Sequence, residues 1–283
     1  MQRLPGPEMP VLSGPVRSRC SAVLLGFASI VGCSRTASPR ATAASDSVIP
    51  AGRYGDVVRR GRALLTATRD SLPTHVGNSL RCTSCHLDEG RRETGTWVGA
   101  FAHYPQYRGR SGTVETIEYR VNDCFRRSMN GTALDPAGAD MRDIVAYLAF
   151  LSRGVAVSPA APANTRLQKW AAFTADTADG ARVFSGVCAK CHGTGGEGTK
   201  VAPPVWGTQS YNIGAGMSRV RTLAEFISRN MPFDAPGTLS DSQAFHVAAY
   251  VDAHPRPDFP GKENDWPQGD PPPDVAYPTR AHH

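Results

Sequence analysis

Cys82-Thr83-Ser84-Cys85-His86 and Cys188-Ala189-Lys190-Cys191-His192 are two copies of one pattern, C-x-x-C-H, set 106 residues apart. Two thiols at this spacing can each form a thioether to a haem vinyl group, and the adjacent histidine then falls beneath the iron as an axial ligand. A C-x-x-C by itself also serves as a redox dithiol or as half a zinc site. The immediate histidine, the repetition and an export signal at the N-terminus all favour haem c. The reading is two covalently bound haem c groups, held by Cys82, Cys85, Cys188 and Cys191, with His86 and His192 as iron ligands.

A chain of 283 residues with motifs so far apart suits two small domains better than one large one. Each would have a modest apolar core, which a covalently held haem enlarges. The formal charge is +6, and residues 1–32 hold Arg3, Arg17 and Arg19 against Glu8, so their removal leaves about +4. That surplus is too small and too dispersed for nucleic acid, but it suits an anionic substrate.

The first 33 residues read as an address. Arg17 and Arg19 precede the apolar run Ser21–Val31, far shorter than the ~20 residues of a membrane span. The run ends in Ile30-Val31-Gly32-Cys33, which resembles a bacterial lipobox and makes Cys33 a candidate for lipidation. An ordinary signal peptide cleaved near Ala41-Thr42-Ala43 is the alternative. Both export the protein, to the periplasm on this reading, with a lipid anchor as its only tie to the membrane. Residues 34–52, rich in Ser, Ala and Thr, form a flexible tether.

Helical periodicity follows in both halves. Val57, Val58, Ala63, Leu64 and Leu65 mark a first helix, Thr113 to Met129 holds good helix formers, and Asp140 to Leu151 is strongly amphipathic. Trp97 to Tyr107 reads as loop. In the second half, Asp179 to Lys190 runs into the second motif, Leu223 to Arg229 is helical, and Ser240 caps a last helix ending at Asp252. Ala146-Tyr147 and Ala249-Tyr250 occupy matching places in the two terminal helices, as an internal repeat would have it. The expected fold is all-α: two class I cytochrome c-like haem domains, 53–153 and 167–254, joined by a linker over 154–166. A Pro-rich tail, 255–283, with Pro271-Pro272-Pro273, cannot be helical and is expected to run extended over the surface.

The two halves differ at the second axial ligand, which sets potential and function. Met231-Pro232 lies 39 residues after His192, where small class I cytochromes carry their ligand methionine, and Met217 is its rival. The matching place in the first half, 38 residues after His86, holds Cys124. Of seven cysteines, Cys20 and Cys33 belong to the signal and four hold haem, so Cys124 has no disulfide partner. It reads as an iron ligand that would lower the potential of the first haem, with a buried inert cysteine as the alternative. Met129 competes, but at helical spacing it points about 140° away from Cys124. Arg108, Arg110, Arg120, Arg126 and Arg127 surround this segment. Arg120, Cys124 and Ser128 share one helix face at i, i+4 spacing, and guanidinium suits sulfonate oxyanions. Arg126 and Arg127 read instead as a solvated basic face.

Tyr104-Pro-Gln-Tyr-Arg-Gly-Arg-Ser-Gly112 and Arg120-Val-Asn-Asp-Cys-Phe-Arg-Arg-Ser-Met-Asn-Gly131 resemble the active-site region of the TsdA-type dihaem thiosulfate dehydrogenases. Asn230-Met231-Pro232 and Asp265-Trp-Pro-Gln-Gly-Asp-Pro-Pro-Pro-Asp274 also fit that family, and the similarity covers most of 54–280. The resemblance implies a His86/Cys124-ligated catalytic haem and a His192/Met231-ligated haem that passes electrons on. It implies oxidative coupling of two thiosulfates to tetrathionate, reversible in principle, with Arg110, Arg120 and Ser128 lining the substrate pocket. The acceptor would be a c-type cytochrome or another periplasmic carrier. Asn230 stands where some members have a lysine that competes for the second iron. A non-catalytic dihaem electron carrier, or an enzyme acting on another sulfur oxyanion, are the competing readings.

Overall fold

The computed structural model describes residues 48–158 and 165–279. The candidate lipid site Cys33, most of the tether, the middle of the linker and the last residues of the tail lie outside the described residues.

The first half holds α1 (Arg53–Thr66), a single turn α2 (Thr68–Ser71), α3 (Ile117–Arg127) and α4 (Ala139–Leu151). α1 packs across α4. Gly61 permits this crossing, because a Cβ there would stand 1.9 Å from the Asp143 carbonyl oxygen. The second half repeats the device. α5 (Thr177–Val183) continues through a π turn (Phe184–Cys188) into α6 (Ala189–His192), and it packs on the last helix, α8 (Asp241–Asp252). Gly180 lies at that crossing, its absent Cβ 2.2 Å from the His246 carbonyl oxygen. The third helix of this half, α7 (Val220–Asn230), also packs on α8. Each half thus closes its own apolar core around a first and a last helix. Val58, Met141, Ile144 and Phe150 centre one core, and Trp170, Ala224, Val247 and Ala248 the other.

Local chemistry accounts for the helix starts. Asp176 accepts from the backbone N–H groups of Ala178 and Asp179, and Ser240 forms a capping box with Gln243. Thr116 accepts from Tyr119 N–H at the start of α3. That cap corrects the expected helix over Thr113–Met129. Thr113–Glu115 is instead strand β2, paired antiparallel with β1 (Gln106–Arg108), and the chain turns between them through Gly112 at φ +66°. β-Branched Thr113 and Val114 favour that extended state, and the helix begins only where a side chain can satisfy its first N–H groups.

The segment after α8 contains one short 3-10 turn, Lys262–Asn264, and otherwise no helix among its described residues. It returns to the first half and buries Asp265, Trp266, Tyr277 and Thr279. A second tie comes from Asn212, whose side-chain amide donates to the Arg126 carbonyl at 2.9 Å while its backbone N–H donates to the Arg127 carbonyl at 3.1 Å. The last carbonyls of α3, which have no partner inside the helix, are thereby capped from the other half of the chain. Among the described residues no helix is long and apolar enough to cross a membrane.

Candidate active site

A partly open cavity of about 70 Å³ lies within the first core. Cys82, Cys85 and His86 line it together with Cys124, Ser128 and Met129, and the remaining wall is largely apolar, with Leu65, Trp97, Phe125 and Leu148. Burial pushes the Cys82 and Cys85 thiols up to about 12. Such buried thiols are poor exposed redox dithiols and well placed to be consumed as thioethers.

His86 Nδ1 donates to the Gly95 carbonyl oxygen at 2.5 Å, and burial lowers the imidazole to about 4. The ring is therefore neutral, with its Nε2 lone pair available, the form in which histidine binds a metal. His192 repeats the arrangement, its Nδ1 donating to the Pro203 carbonyl oxygen at 2.8 Å. This pair of orienting bonds fits two iron-ligating imidazoles. Around the second motif, Cys188, Met217 and Met231 all pack against the second core, and Met231 follows directly on α7.

On α3, Arg120 Nη1 lies 3.1 Å from Cys124 Sγ and 3.5 Å from Asp123 Oδ2. Its guanidinium is held well above its usual value, chiefly by the Cys124 sulfur and against the effect of burial. Cys124 and Ser128 both line the cavity wall, whereas Arg120, which touches Cys124, and Arg110 are not among the residues that line it. Arg110 approaches from the hairpin side. It donates to the Gly214 carbonyl oxygen at 2.6 Å and lies 4.8 Å over the Trp266 ring. Burial, then the neighbouring Arg127, brings Arg110 down to about 10.

Two expectations are overturned here. Met129 is not turned away from Cys124: it is buried and lines the same cavity. The 140° separation assumed a continuing helix, but α3 ends at Arg127 and the Met129 N–H reaches back to the Cys124 carbonyl. Arg127, expected on a solvated face, is only 8 % exposed. It donates to Asp123 at 2.5 Å and to both oxygens of Asp265. Arg126 does lie at the partly exposed edge, 5.9 Å over the Tyr119 ring. Arg108 is 40 % exposed along its side chain and 4.0 Å from Glu115.

Asp123 joins these arginines. Burial opposes its ionisation, but Arg120 and Arg127 hold its carboxyl below the usual range. The sequence reading missed it, although its spacing of three from Arg120 and four from Arg127 is the helical ion-pair pattern. It also missed Asp265 as the partner of Arg127 and Trp266 as the platform under Arg110. No local signal announces either. The site is therefore a thiol on a cavity wall with one guanidinium on its sulfur and a carboxylate-linked set of further guanidiniums behind it.

Residues 74–157 match the family model described as SoxA/TsdA, cytochrome c domain, and residues 175–251 match cytochrome C oxidase, cbb3-type, subunit III. The chain is 41% identical over 239 residues to thiosulfate dehydrogenase of Psychrobacter arcticus, covering 81% of this chain and 72% of that one. It is 39% identical to thiosulfate dehydrogenase of Allochromatium vinosum, covering 77% of this chain and 85% of the relative. This chain belongs to the thiosulfate dehydrogenase family. Its fold is similar to thiosulfate dehydrogenase (TsdBA) from Marichromatium purpuratum in its as-isolated form, with a TM-score of 0.67 and 35% identity over 77% of this chain. The match spans 50% of that longer chain.

Two cytochrome c domains and relatives of this family give the chain two covalently bound haem c groups. The fold is all-α apart from the short hairpin.

Proposed function

We propose that the chain oxidises thiosulfate to tetrathionate, with Cys124 as the reacting sulfur. The observation that carries this reading is the 3.1 Å contact of Arg120 Nη1 with Cys124 Sγ at the wall of the first cavity. The reacting form of a cysteine in sulfur exchange is the thiolate, and Arg120 places a fixed positive charge 3.1 Å from this sulfur. Thiosulfate is a dianion, so two can meet only where fixed positive charge offsets their repulsion. Arg120 and Arg110 supply that charge, and Ser128 a neutral hydroxyl for hydrogen bonding.

Cys124 Sγ bonds the terminal sulfur of the first thiosulfate, a step that releases two electrons. Cys82, Cys85 and His86, with Cys188, Cys191 and His192, would hold the two haems, which would supply the acceptor for those electrons. The second thiosulfate attacks the sulfur that bears the sulfonate, forms the central bond of tetrathionate, and returns Cys124 as thiolate. The same residues serve the reverse reaction.

Cys124 would also hold the first iron, opposite the motif that carries His86, and Met231 would hold the second. Met231 is preferred to Met217 because Met217 packs against the junction cluster of Leu80, Tyr211 and Ala215 as well as the second core. Electrons leave to a c-type cytochrome or another periplasmic carrier. Cytochrome c domains imply an exported, periplasmic protein. Cys33 would tether it by lipid, and the boundaries 53–153 and 167–254 delimit the two haem domains.

The test is optical. Oxidised protein mixed anaerobically with thiosulfate should develop ferrous haem bands as tetrathionate accumulates, and Cys124→Ala should abolish both. Normal turnover with an unchanged first-haem spectrum in Cys124→Ala would remove Cys124 from the reaction.

A further inference from the structure

Asp123 stands one residue before Cys124 on α3 and divides its two oxygens between two guanidiniums. Oδ1 accepts from Arg127 Nε at 2.5 Å. Oδ2 lies 3.5 Å from Arg120 Nη1, the same nitrogen that touches Cys124 Sγ at 3.1 Å. The Asp123 side chain is only 15 % exposed. A carboxylate here works against a site that collects dianions, because it repels them from behind the guanidiniums that would hold them. Ion pairs at this helical spacing ordinarily lie in solvent and contribute little, so pairing alone does not explain it.

Neutralising Arg127 does not explain it either. Arg127 already donates from Nη1 and Nη2 to both oxygens of Asp265 and lies 4.1 Å over the Phe259 ring. Arg120 is the partner left to account for, and Asp123 is the carboxylate in contact with it. Asp123 is itself braced, since Arg127 ties it to Asp265, whose Oδ2 accepts from the Tyr277 hydroxyl at 2.7 Å. A line of polar contacts therefore runs from the C-terminal segment through Asp123 and Arg120 to the Cys124 sulfur.

We infer that Asp123 is a positioning residue, which aims the Arg120 guanidinium at Cys124 Sγ and weakens anion attraction in doing so. The inference rests on the reading of Cys124 as the reacting sulfur, and it assigns alignment and attraction to different side chains. Asparagine separates the two. It has one acceptor oxygen, which the shorter Arg127 contact claims, so its NH₂ group faces Arg120. Two donors cannot pair, and the guanidinium swings off the sulfur with its charge intact. Asp123→Asn should then lower kcat by about 10²-fold, the scale of a small misplacement at a reacting centre. It should also lower KM for thiosulfate by about 10-fold, because an opposing charge has gone while the arginines remain. General damage to the site would instead raise KM.

The experiment uses the full chain carrying both haems. Steady-state thiosulfate oxidation with an excess of a one-electron acceptor gives kcat and KM for the parent, Asp123→Asn, Arg120→Gln and the double variant. A crystal structure of Asp123→Asn gives the distance from Arg120 Nη1 to Cys124 Sγ. Without Arg120 there is nothing to aim, so Asp123→Asn should lower kcat no further in the Arg120→Gln background. Additive losses in the double variant would overturn the inference. So would an unchanged kcat, a raised KM, or an Arg120 nitrogen still in contact with the sulfur in Asp123→Asn. If the parent oxidises no thiosulfate, the proposed function fails, and the crystallographic distance alone decides the role of Asp123. If Asp123→Asn fails to accumulate with both haems, Asp123→Ser, equally uncharged, replaces it with the same outcomes.

Discussion

Arg127 donates from Nη1 and Nη2 to the two carboxylate oxygens of Asp265, at 2.7 and 2.8 Å, across 138 residues of chain. Both residues are buried, and the Tyr277 hydroxyl donates to Asp265 Oδ2 at 2.7 Å. Fork-to-fork pairing of this kind fixes orientation as well as charge. It locks the C-terminal segment against the helix that carries Cys124.

Asp265→Asn should therefore destabilise the protein by about 1–3 kcal/mol, the cost of weakening buried charged hydrogen bonds while Asp123 still pairs with Arg127. Denaturant unfolding followed by tryptophan fluorescence would measure it. A loss below about 1 kcal/mol would show that the pair contributes no more than a surface bridge does.

Arg120→Gln removes the charge from the Cys124 sulfur while keeping a planar hydrogen-bonding group. By analogy with removal of one preorganised donor, thiosulfate-driven haem reduction should slow by about 10²–10³-fold. Stopped-flow absorbance gives the rate, and Arg120→Lys, which retains charge without the fork, should fall between the two.

Glu89 pairs with Arg62 of α1 and with Arg91, and these outweigh the effect of burial to hold its carboxyl below the usual glutamate range. The folded value is depressed, so this stabilisation is fully present above the unfolded value of about 4.3 and is lost as pH falls through the lower folded value. Acid unfolding of Glu89→Gln should be shallower than that of the parent below about pH 4.3. Identical acid limbs would assign the acid sensitivity elsewhere.

Gly180→Ala should push α5 off α8, because the added carbon would lie 2.2 Å from the His246 carbonyl oxygen. Overpacking of this kind costs about 1–3 kcal/mol, and here backbone rather than a flexible side chain must give way. Gly61→Ala should behave alike at the α1–α4 crossing. A thermal melt of each variant tests whether the two halves share this device, and an unchanged melting temperature in either would refute it there.

Some of these relationships could be read directly along the chain. The C-x-x-C-H copies place two thiols and an imidazole within one turn, so attachment needs no distant partner. Asp176 and Ser240 act within three residues of themselves. Arg120 and Cys124 meet because four residues make about one helical turn. The hairpin was hidden because Thr113–Glu115 adjoins a good helix, and only pairing with Gln106–Arg108 sets the strand apart.

The sequence by itself determined that the chain takes two haem c groups, the helical class, and the cysteine and arginine that face each other on α3. All follow from covalent spacing or from the period of one helix. Tertiary structure alone decided that Met129 joins the cavity wall, that Asn212 closes α3, and that Arg127 is buried against Asp265. Those outcomes depend on where a helix stops and on partners far along the chain. A local pattern holds no record of either, because the free energy that selects them comes from burial and pairing between segments that meet only in the folded state.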